Sequence, residues 1–304
     1  MVLSVAGRLR GRSNRPARLS TGSRRTLGLL VLVAALFGGF LTPQAAPPAA
    51  ATYYYTLYHN ANGFDTCSAK TQTMLSDWWN GTPWYDIGVY LGGSVGQSLG
   101  CYDGAAAVDR ALNTGYGVTL YWYGPQLGYP CNMRSFSSYI SLNTTTAYNQ
   151  GVAEAGHANY AASVAHLPFA TQIFYDMEAY YANSGCRAAS KAFINGWVHQ
   201  LFYNTAWNGA AYGSSCASYP TDWTSIANVP SAVSPSDTAL DNGSVYGYPC
   251  LANGYWSQHQ RVGQFSTDNH TYNGYNLYVD ENCADTYLPS IFSGTTGAGC
   301  SDVL

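Results

Sequence analysis

The sequence predicts an α/β fold: a (β/α)8 barrel of the TIM type, complete or irregular and stapled by disulfides, that forms a single domain over residues 52–304. Strand-like and helix-like segments alternate along these 253 residues, and seven or eight segments have the short apolar pattern of strands. These strand segments are apolar at consecutive positions, which is typical of parallel strands covered on both faces. An open, doubly wound sheet is the alternative that the same alternation allows.

The first half of the chain alternates regularly between the two kinds of element. Residues 103–115, for example, begin with an Asp, continue through an alanine-rich body and stop at a Gly, which are the boundary signals of a helix. We expect a short strand that ends at 62–65, further strands over 85–93 and 116–124, and helices over 69–79, 103–115 and 146–167.

The second half is less regular. We expect strands over 171–180, 210–215, 260–266 and 275–282, and an amphipathic helix over 187–204. The stretch 222–233 is ambiguous and could hold a further strand. Residues 214–258 are rich in Ser, Pro, Gly and Asn, which predicts a loop region that two cysteines could staple.

Residues 1–51 have the features of an export signal. Seven arginines and no acidic residue precede position 26, an apolar run covers 27–41, and Ala49 and Ala51 form a small-residue cleavage site. Arg24 and Arg25 match the twin-arginine pattern, with an ordinary secretory signal and a retained membrane anchor as the alternatives. We therefore expect a bacterial protein that is secreted, free of the membrane after cleavage, and monomeric.

Removal of the leader makes the chain acidic. Seven of the 13 basic residues lie in the leader, so six remain against 16 acidic residues, and the mature net charge is near −10. Nucleic acid is therefore not an expected partner, because a polyanion is bound through clustered Lys and Arg. The scarcity of charged residues and the many Tyr, Asn, Ser, Thr and Gly favour a neutral polar partner such as a sugar.

All eight cysteines follow the leader, at positions 67, 101, 131, 186, 216, 250, 283 and 300. An even number in an exported chain predicts up to four disulfides, and the sequence leaves all 105 pairings open. No two cysteines form a CxxC pair, and the six histidines form no HExxH motif. We therefore expect neither a metal site nor a cofactor.

Carboxylates gather at the ends of the predicted strands. Asp176 and Glu178, in "TQIFYDMEAYY", stand two positions apart, so a strand would aim both at one place. Asp65 and Asp280 also end predicted strands, although each taken singly could be a helix cap or a turn former. Apolar neighbours favour the protonated form of a carboxyl, and we expect Glu178 to have such neighbours. Glycosidases use a pair of carboxyls of which one is protonated and the other ionised.

Three motifs in this order resemble a known family. "GFDTC" at the first strand, "YDMEAY" at the fourth, and "GQFSTDNHTYNGYNLYVDEN" near the end are similar to motifs of the family 25 glycoside hydrolases, which are secreted lysozymes. The layout is closer still to a related bacterial glycoside-hydrolase-like family, long treated as a domain of unknown function. "IGVYLGG" and "FINGWVHQL" add to this second resemblance, which covers nearly all of residues 60–285.

The resemblance implies a role for each carboxyl and a polysaccharide substrate, with peptidoglycan foremost. Glu178 would be the general acid, and Asp176 would orient the substrate's N-acetyl group or stabilise the oxocarbenium-like centre. Asp65, in the G-x-D motif, and Asp280, in the V-D-x-N motif, would complete the site. Gln264 belongs to the Q-[FY]-S motif and would contact the substrate.

Aromatic residues near these motifs would stack on sugar rings, although half of them are expected in the core. The candidates are Tyr90, Tyr121, Trp122, Tyr175, Tyr180 and Trp256. The chain also departs from the lysozymes, because Cys67 replaces their usual serine and eight cysteines are uncommon among them. A non-catalytic protein that binds the cell wall on the same barrel is therefore the alternative function.

A serine hydrolase is the competing enzyme class. "GGSVG" at 92–96 matches the G-x-S-x-G nucleophile elbow, and Ser94 could act with an Asp and His259 or His270. The elbow requires a helix directly after the serine, and "QSLGCYDG" does not predict one, so a glycine-rich loop is the simpler interpretation. His259 precedes a predicted strand and could also line the groove.

Overall fold

Eight strands close into a barrel in chain order, β1 to β8, in the computed structural model, which describes residues 54–240, 243–291 and 300. The barrel and its surrounding helices confirm the predicted α/β barrel. The export signal predicted for residues 1–51 lies outside the described residues.

The strands and helices have the following bounds. The strands are β1 Tyr55–Asp65, β2 Asp86–Gly92, β3 Gly117–Trp122, β4 Gln172–Asp176, β5 Asn208–Ser214, β6 Val233–Ser236, β7 Arg261–Tyr272 and β8 Tyr275–Ser290. The helices are α1 Gln72–Gly81, α2 Ser94–Leu99, α3 Ala105–Thr114, α4 Thr144–Val164, α5 Ser184–Asn204 and α6 Pro220–Trp223.

Strands β1 to β7 run parallel to one another, so their carboxyl ends meet at one mouth of the barrel. Every residue of β2, β3 and β4 is buried. Side chains such as Tyr121 and Phe174 pack in one apolar cluster of the barrel wall, while Val89 and Ile173 belong to the larger cluster that includes helix residues. This double burial explains why the strands are apolar at consecutive positions.

Strand β8 differs from the prediction in both length and direction. It continues to Ser290 and pairs antiparallel with β7 on one side and with β1 on the other. The β7–β8 hairpin turns at Asn273 and Gly274, which both have positive φ, and β8 then runs away from the mouth. The prediction that 275–282 is a short strand that ends at the mouth is therefore wrong, although Asp280 still lies there because it pairs with Asp65.

Three of the six described helices begin at a capping side chain, whereas α3, predicted to start at Asp103, begins at Ala105 after Gly104 and has no side-chain cap. Thr71 caps α1, Asn143 caps α4 and Asn183 caps α5, each accepting a hydrogen bond from a backbone N–H of the first turn. Helices α4 and α5 approach closely at two glycines. A Cβ on Gly151 or Gly196 would collide with a carbonyl oxygen of the other helix, so the close approach requires glycine at these positions. Within the described part of the chain, none of the helices combines the length and the hydropathy that a bilayer crossing needs.

Four disulfides confirm the predicted number and decide the pairing. They join Cys67 to Cys101, Cys131 to Cys186, Cys216 to Cys250, and Cys283 to Cys300. The third bond staples the region 214–258, as expected, and this region also contains α6 and β6. The first bond joins the segments that follow β1 and α2, and the second joins the loop after β3 to the start of α5.

Candidate active site

A cavity of about 270 Å³ opens at the carboxyl ends of the barrel strands. It contains all four predicted catalytic carboxyls together with a set of tyrosines and one arginine. The lining residues are Asp65, Cys67, Tyr90, Leu99, Cys101, Tyr121, Tyr123, Arg134, Asp176, Glu178, Tyr212, Gln264 and Asp280.

The D-x-E segment directs both of its carboxyls into this cavity. Asp176 is the last residue of β4, Met177 is fully buried, and Glu178 follows just beyond the strand. Gln126 holds the backbone of the segment, because its Nε2 donates to the Asp176 carbonyl at 2.6 Å and its Oε1 accepts from the Glu178 N–H at 2.9 Å. Strand β4 ends at Asp176, short of the predicted strand 171–180, yet both Asp176 and Glu178 line the cavity.

Glu178 lies at the open side of the cavity, and its surroundings are more polar than the sequence predicted. Its Oε1 accepts a hydrogen bond from the Tyr123 hydroxyl at 2.9 Å, and its Oε2 lies 3.0 Å from Nη1 of Arg134. The Glu178 side chain is 29% exposed, whereas Asp176 is buried at 5%. The two carboxyls therefore differ in depth and in partners.

Asp65 and Asp280 face each other across the β1–β8 pair at the mouth. The Tyr90 hydroxyl donates to one oxygen of Asp65 at 2.8 Å, and the Asn282 amide donates to the other, also at 2.8 Å. These two donors lower the pKa of Asp65, but burial outweighs them and the pKa stays above its ordinary value. Asn282 is the last residue of the V-D-x-N motif. Its hydrogen bond to Asp65 gives this residue a positioning function.

Burial in the cavity also raises the pKa of the two other aspartates. Burial raises the pKa of Asp176 well above its ordinary value, and the nearby charges of Glu178, Asp65 and Asp280 add to the shift. Burial, followed by the charge of Asp65, raises the pKa of Asp280 to about 8. Burial therefore favours the protonated form of these carboxyls, which lie beside a more exposed carboxyl at the opening of the cavity.

Tyrosines line much of the cavity. Tyr90, Tyr121 and Tyr212 form a continuous set, with ring centroids 5.6 Å apart between the first two and 5.9 Å between the last two. The Tyr212 hydroxyl donates to Gln264 Oε1 at 2.6 Å, which fixes the side chain of Gln264. Tyr90, Tyr121 and Gln264 are thus predicted substrate-binding residues that lie in the cavity, and they offer both apolar ring surface and polar atoms.

The other predicted stacking residues lie outside the cavity, in the described structure. Trp122 donates to Glu154 at 2.6 Å, and Trp256 donates to the Pro230 carbonyl at 2.7 Å. Tyr180 donates to the Ser218 carbonyl at 3.0 Å, and Tyr175 is fully buried. All four are packed side chains whose polar atoms are satisfied by the protein, so the stacking function assigned to them does not fit the structure.

The residues of the competing triad also lie apart. A helix, α2, does begin at Ser94, so the expectation of a loop there is wrong. Ser94 is nevertheless exposed and does not line the cavity. His259 lies 2.7 Å from Asp285, near the start of β7 and away from the mouth, and His270 lies 2.6 Å from Glu281. Each histidine is paired with a carboxylate, and neither is among the described residues that line the cavity.

Besides Leu99, four lining features were missed in the sequence. Tyr123 directly follows β3, and Tyr212 lies on β5, so their positions near strand ends were signals that could have found them. Arg134 lies in a long loop between β3 and α4 and carries no motif. The Cys67–Cys101 disulfide forms part of the wall, and its position required knowledge of the pairing.

This arrangement supports general acid–base catalysis on a ligand with a polar ring that is uncharged or weakly charged. Carboxyls of different depth surround one volume, and tyrosine rings line it. Among the described residues, no group of three or more His, Cys, Asp or Glu side chains is arranged to hold a metal ion.

A protein family described as the Rv2525c-like, glycoside hydrolase-like domain matches residues 76–284 of the chain. This range includes three of the four carboxyls, and Asp65 precedes it. No curated protein matches the sequence significantly.

Solved structures with a similar fold have low sequence identity to this chain. An uncharacterised B. stearothermophilus protein is 17% identical, with a TM-score of 0.50 over 75% of this chain and 99% of that chain. The Tat-secreted protein Rv2525c of Mycobacterium tuberculosis, in complex with L-tartrate, is 13% identical, with a TM-score of 0.48 over 74% and 95%. The modular autolysin LytC of Streptococcus pneumoniae is 15% identical, with a TM-score of 0.46 over 74% and 46%.

Proposed function

Because the chain belongs to the family of Rv2525c-like, glycoside hydrolase-like domains, we propose that it hydrolyses glycosidic bonds in peptidoglycan or a related N-acetylated polysaccharide. The observation that carries this proposal is the convergence of Asp65, Asp176, Glu178 and Asp280 on one cavity lined by tyrosines. Carboxyl pairs beside a sugar-sized volume are what glycoside hydrolysis requires.

Glu178 is the proton donor in this proposal. It is the D-x-E carboxyl at the open side of the cavity, where the oxygen between two sugar units of a long chain could reach it. The Tyr123 hydroxyl orients the carboxyl through a 2.9 Å hydrogen bond. In its protonated form Glu178 transfers a proton to the glycosidic oxygen as the bond breaks. A water molecule then gives its hydroxyl group to the new end and its remaining proton to the Glu178 carboxylate.

Asp176 and Asp280 act on the sugar that loses its leaving group. Both are deeper than Glu178, and burial raises the pKa of each, so each can hold a proton in the resting site and donate a hydrogen bond to an N-acetyl oxygen. In the ionised form they would stabilise the positive charge that develops on the ring. Asp65 is held by Tyr90 and Asn282 and positions this pair.

A wall-binding protein without catalysis is the second candidate. The contacts of Glu178 favour this candidate, because its two carboxyl oxygens already accept hydrogen bonds from Tyr123 and Arg134. In this alternative the carboxyls and tyrosines would bind sugar hydroxyls and cleave no bond.

The deciding experiment measures release of reducing ends from purified peptidoglycan by the mature protein and by Glu178→Gln. We expect activity in the wild type and a loss of about 10²–10⁴-fold in the variant, which is the usual contribution of a positioned general acid. Glu154→Gln is the matched control, because Glu154 lies outside the cavity and its glutamine still accepts from Trp122. Equal binding of peptidoglycan by all three proteins without cleavage would support the second candidate.

The place of action in this proposal is outside the cell. The leader-like residues 1–51 and the four disulfides both fit an exported protein, since disulfides persist in oxidising compartments. We expect the mature protein to act as a monomer on a polysaccharide, and the acidic mature charge makes nucleic acid an unsuitable partner.

A further inference from the structure

Arg134 is the single cationic side chain among the described residues that line the cavity. Its Nη1 donates to Glu178 Oε2 at 3.0 Å, and its guanidinium lies over the ring of Phe136, 5.2 Å from the centroid. An arginine has five N–H donors, and in the described structure only Glu178 accepts from this guanidinium. The side chain is 57% exposed, so its remaining donors are open to a ligand.

The backbone that carries Arg134 is held firmly against the D-x-E segment. The Cys131–Cys186 disulfide ties this loop to the start of α5. Asn132 then links the two sides, because its Nδ2 donates to the Ala179 carbonyl at 2.6 Å and its Oδ1 accepts from the Arg134 N–H at 2.8 Å. Arg134 is therefore placed beside Glu178 by its own supporting contacts, and the position does not depend on the ion pair alone.

On the basis of the proposed function, we propose that Arg134 is a specificity-determining residue that binds a carboxylate carried by the sugar next to Glu178. A guanidinium presents its donors in a planar fork that matches a carboxylate in a bidentate geometry. The substrate class is thus a glycan with acidic substituents, and an uncharged glycan of the same backbone is bound less well.

The charge of the rest of the cavity is compatible with an acidic ligand. Burial keeps the pKa of Asp176 and Asp280 raised, so these two carboxyls repel an anion less than ionised ones would at neutral pH. The ligand carboxylate would bind at the exposed rim, on the side of Arg134 that faces away from the deep aspartates.

The test compares two forms of one glycan. Peptidoglycan strands stripped of their peptides carry a free carboxylate on each lactyl group, and amidation with methylamine makes the same strands neutral. Dissociation constants for both forms are measured by calorimetry with the wild type, Arg134→Gln, Arg134→Lys and Lys191→Gln. Lys191 contacts Ser225 on the surface and is absent from the cavity lining, so it controls for the loss of one positive charge.

We expect the wild type to bind the free-carboxylate form about 10- to 100-fold more tightly, the range expected for a hydrogen bond to a charged group. This ratio should fall to near one in Arg134→Gln, be intermediate in Arg134→Lys, and be unchanged in Lys191→Gln. A wild-type ratio near one, binding to neither form, or a ratio that survives in Arg134→Gln would overturn the proposal.

The binding ratio is separate from hydrolysis. If no protein cleaves either form, the proposed hydrolysis fails, but the ratio still reports on Arg134. If cleavage occurs with equal affinity for the two forms, only the function of Arg134 fails. Arg134 is largely exposed, so its variants are expected to fold, and melting temperatures measured alongside check this.

Discussion

Single residues in the cavity have environments that the sequence could only partly predict. Asp176 and Glu178 could be paired from their spacing, because an extended chain places alternate side chains on one side. Their partners could not, since Tyr123 and Arg134 come from a strand end and a loop some 40 to 55 positions away in the chain. Contacts at such separations depend on strand order, which the local sequence does not encode.

Asp280 provides a test of the cavity at the level of one residue. Burial and the charge of Asp65 raise its pKa from 3.8 to about 8, so the folded protein binds this proton more tightly than the unfolded chain does. The resulting stabilisation is complete below about pH 4 and is lost as the pH rises through about 8. We therefore expect the wild-type melting temperature to fall between pH 5 and pH 8.

In Asp280→Asn the fall in melting temperature between pH 5 and pH 8 should be smaller by several degrees. Each kcal/mol of unfolding free energy shifts the melting temperature of a domain of this size by about 2–4 °C. Differential scanning calorimetry at pH 5, 6, 7 and 8 measures it. Asp268→Asn, which changes an exposed carboxyl of β7, is the control and should follow the wild type. Identical falls in wild type and Asp280→Asn would mean that folding does not raise the pKa of Asp280.

At the level of elements, the parallel part of the barrel was predictable and its closure was not. β2, β3 and β4 are apolar throughout because both of their faces are covered, and this pattern is visible in the sequence. β8 is mixed in character and pairs antiparallel on both sides. The direction of β8 is decided by the β7–β8 turn and by the pairing of β8 with β1. Neither feature produces a distinct hydrophobic period in the sequence.

Two disulfides of equal sequence separation make it possible to distinguish an effect on stability from an effect on function. Cys67–Cys101 and Cys216–Cys250 each have a sequence separation of 34 residues, so replacing either pair by serines should cost a similar stability, typically about 2–4 kcal/mol. Only the first pair lines the cavity. We expect only the Cys67→Ser/Cys101→Ser protein to lose glycan binding or cleavage, by about tenfold or more.

Urea unfolding measures the stability of both double variants, and the glycan assays are run at a temperature where both remain folded. Equal glycan affinities and rates in the two variants would show that the first disulfide stabilises the barrel without shaping the cavity wall.

At the scale of the whole molecule, the twin-arginine signal is the prediction that the described residues leave open. Changing Arg24 and Arg25 to lysine keeps the positive charge of the leader but removes the twin-arginine pattern. We expect the protein to remain inside the cell, as measured by fractionation and immunoblotting. Arg8 and Arg10 changed to lysine serve as the control, and export should persist. Normal export of the first variant would indicate an ordinary secretory signal.

The sequence by itself determined the α/β class, the number of disulfides and the spacing that brings Asp176 and Glu178 to one cavity. These follow from composition and from periods of a few residues, which act locally along the chain. The tertiary structure alone decided the disulfide pairing, the direction of β8, the inclusion of Arg134, Tyr123 and Tyr212 in the cavity, and the exclusion of Trp122 and Trp256. These depend on which strands become neighbours when the barrel closes, and closure is the combined result of all eight strands and of no single segment.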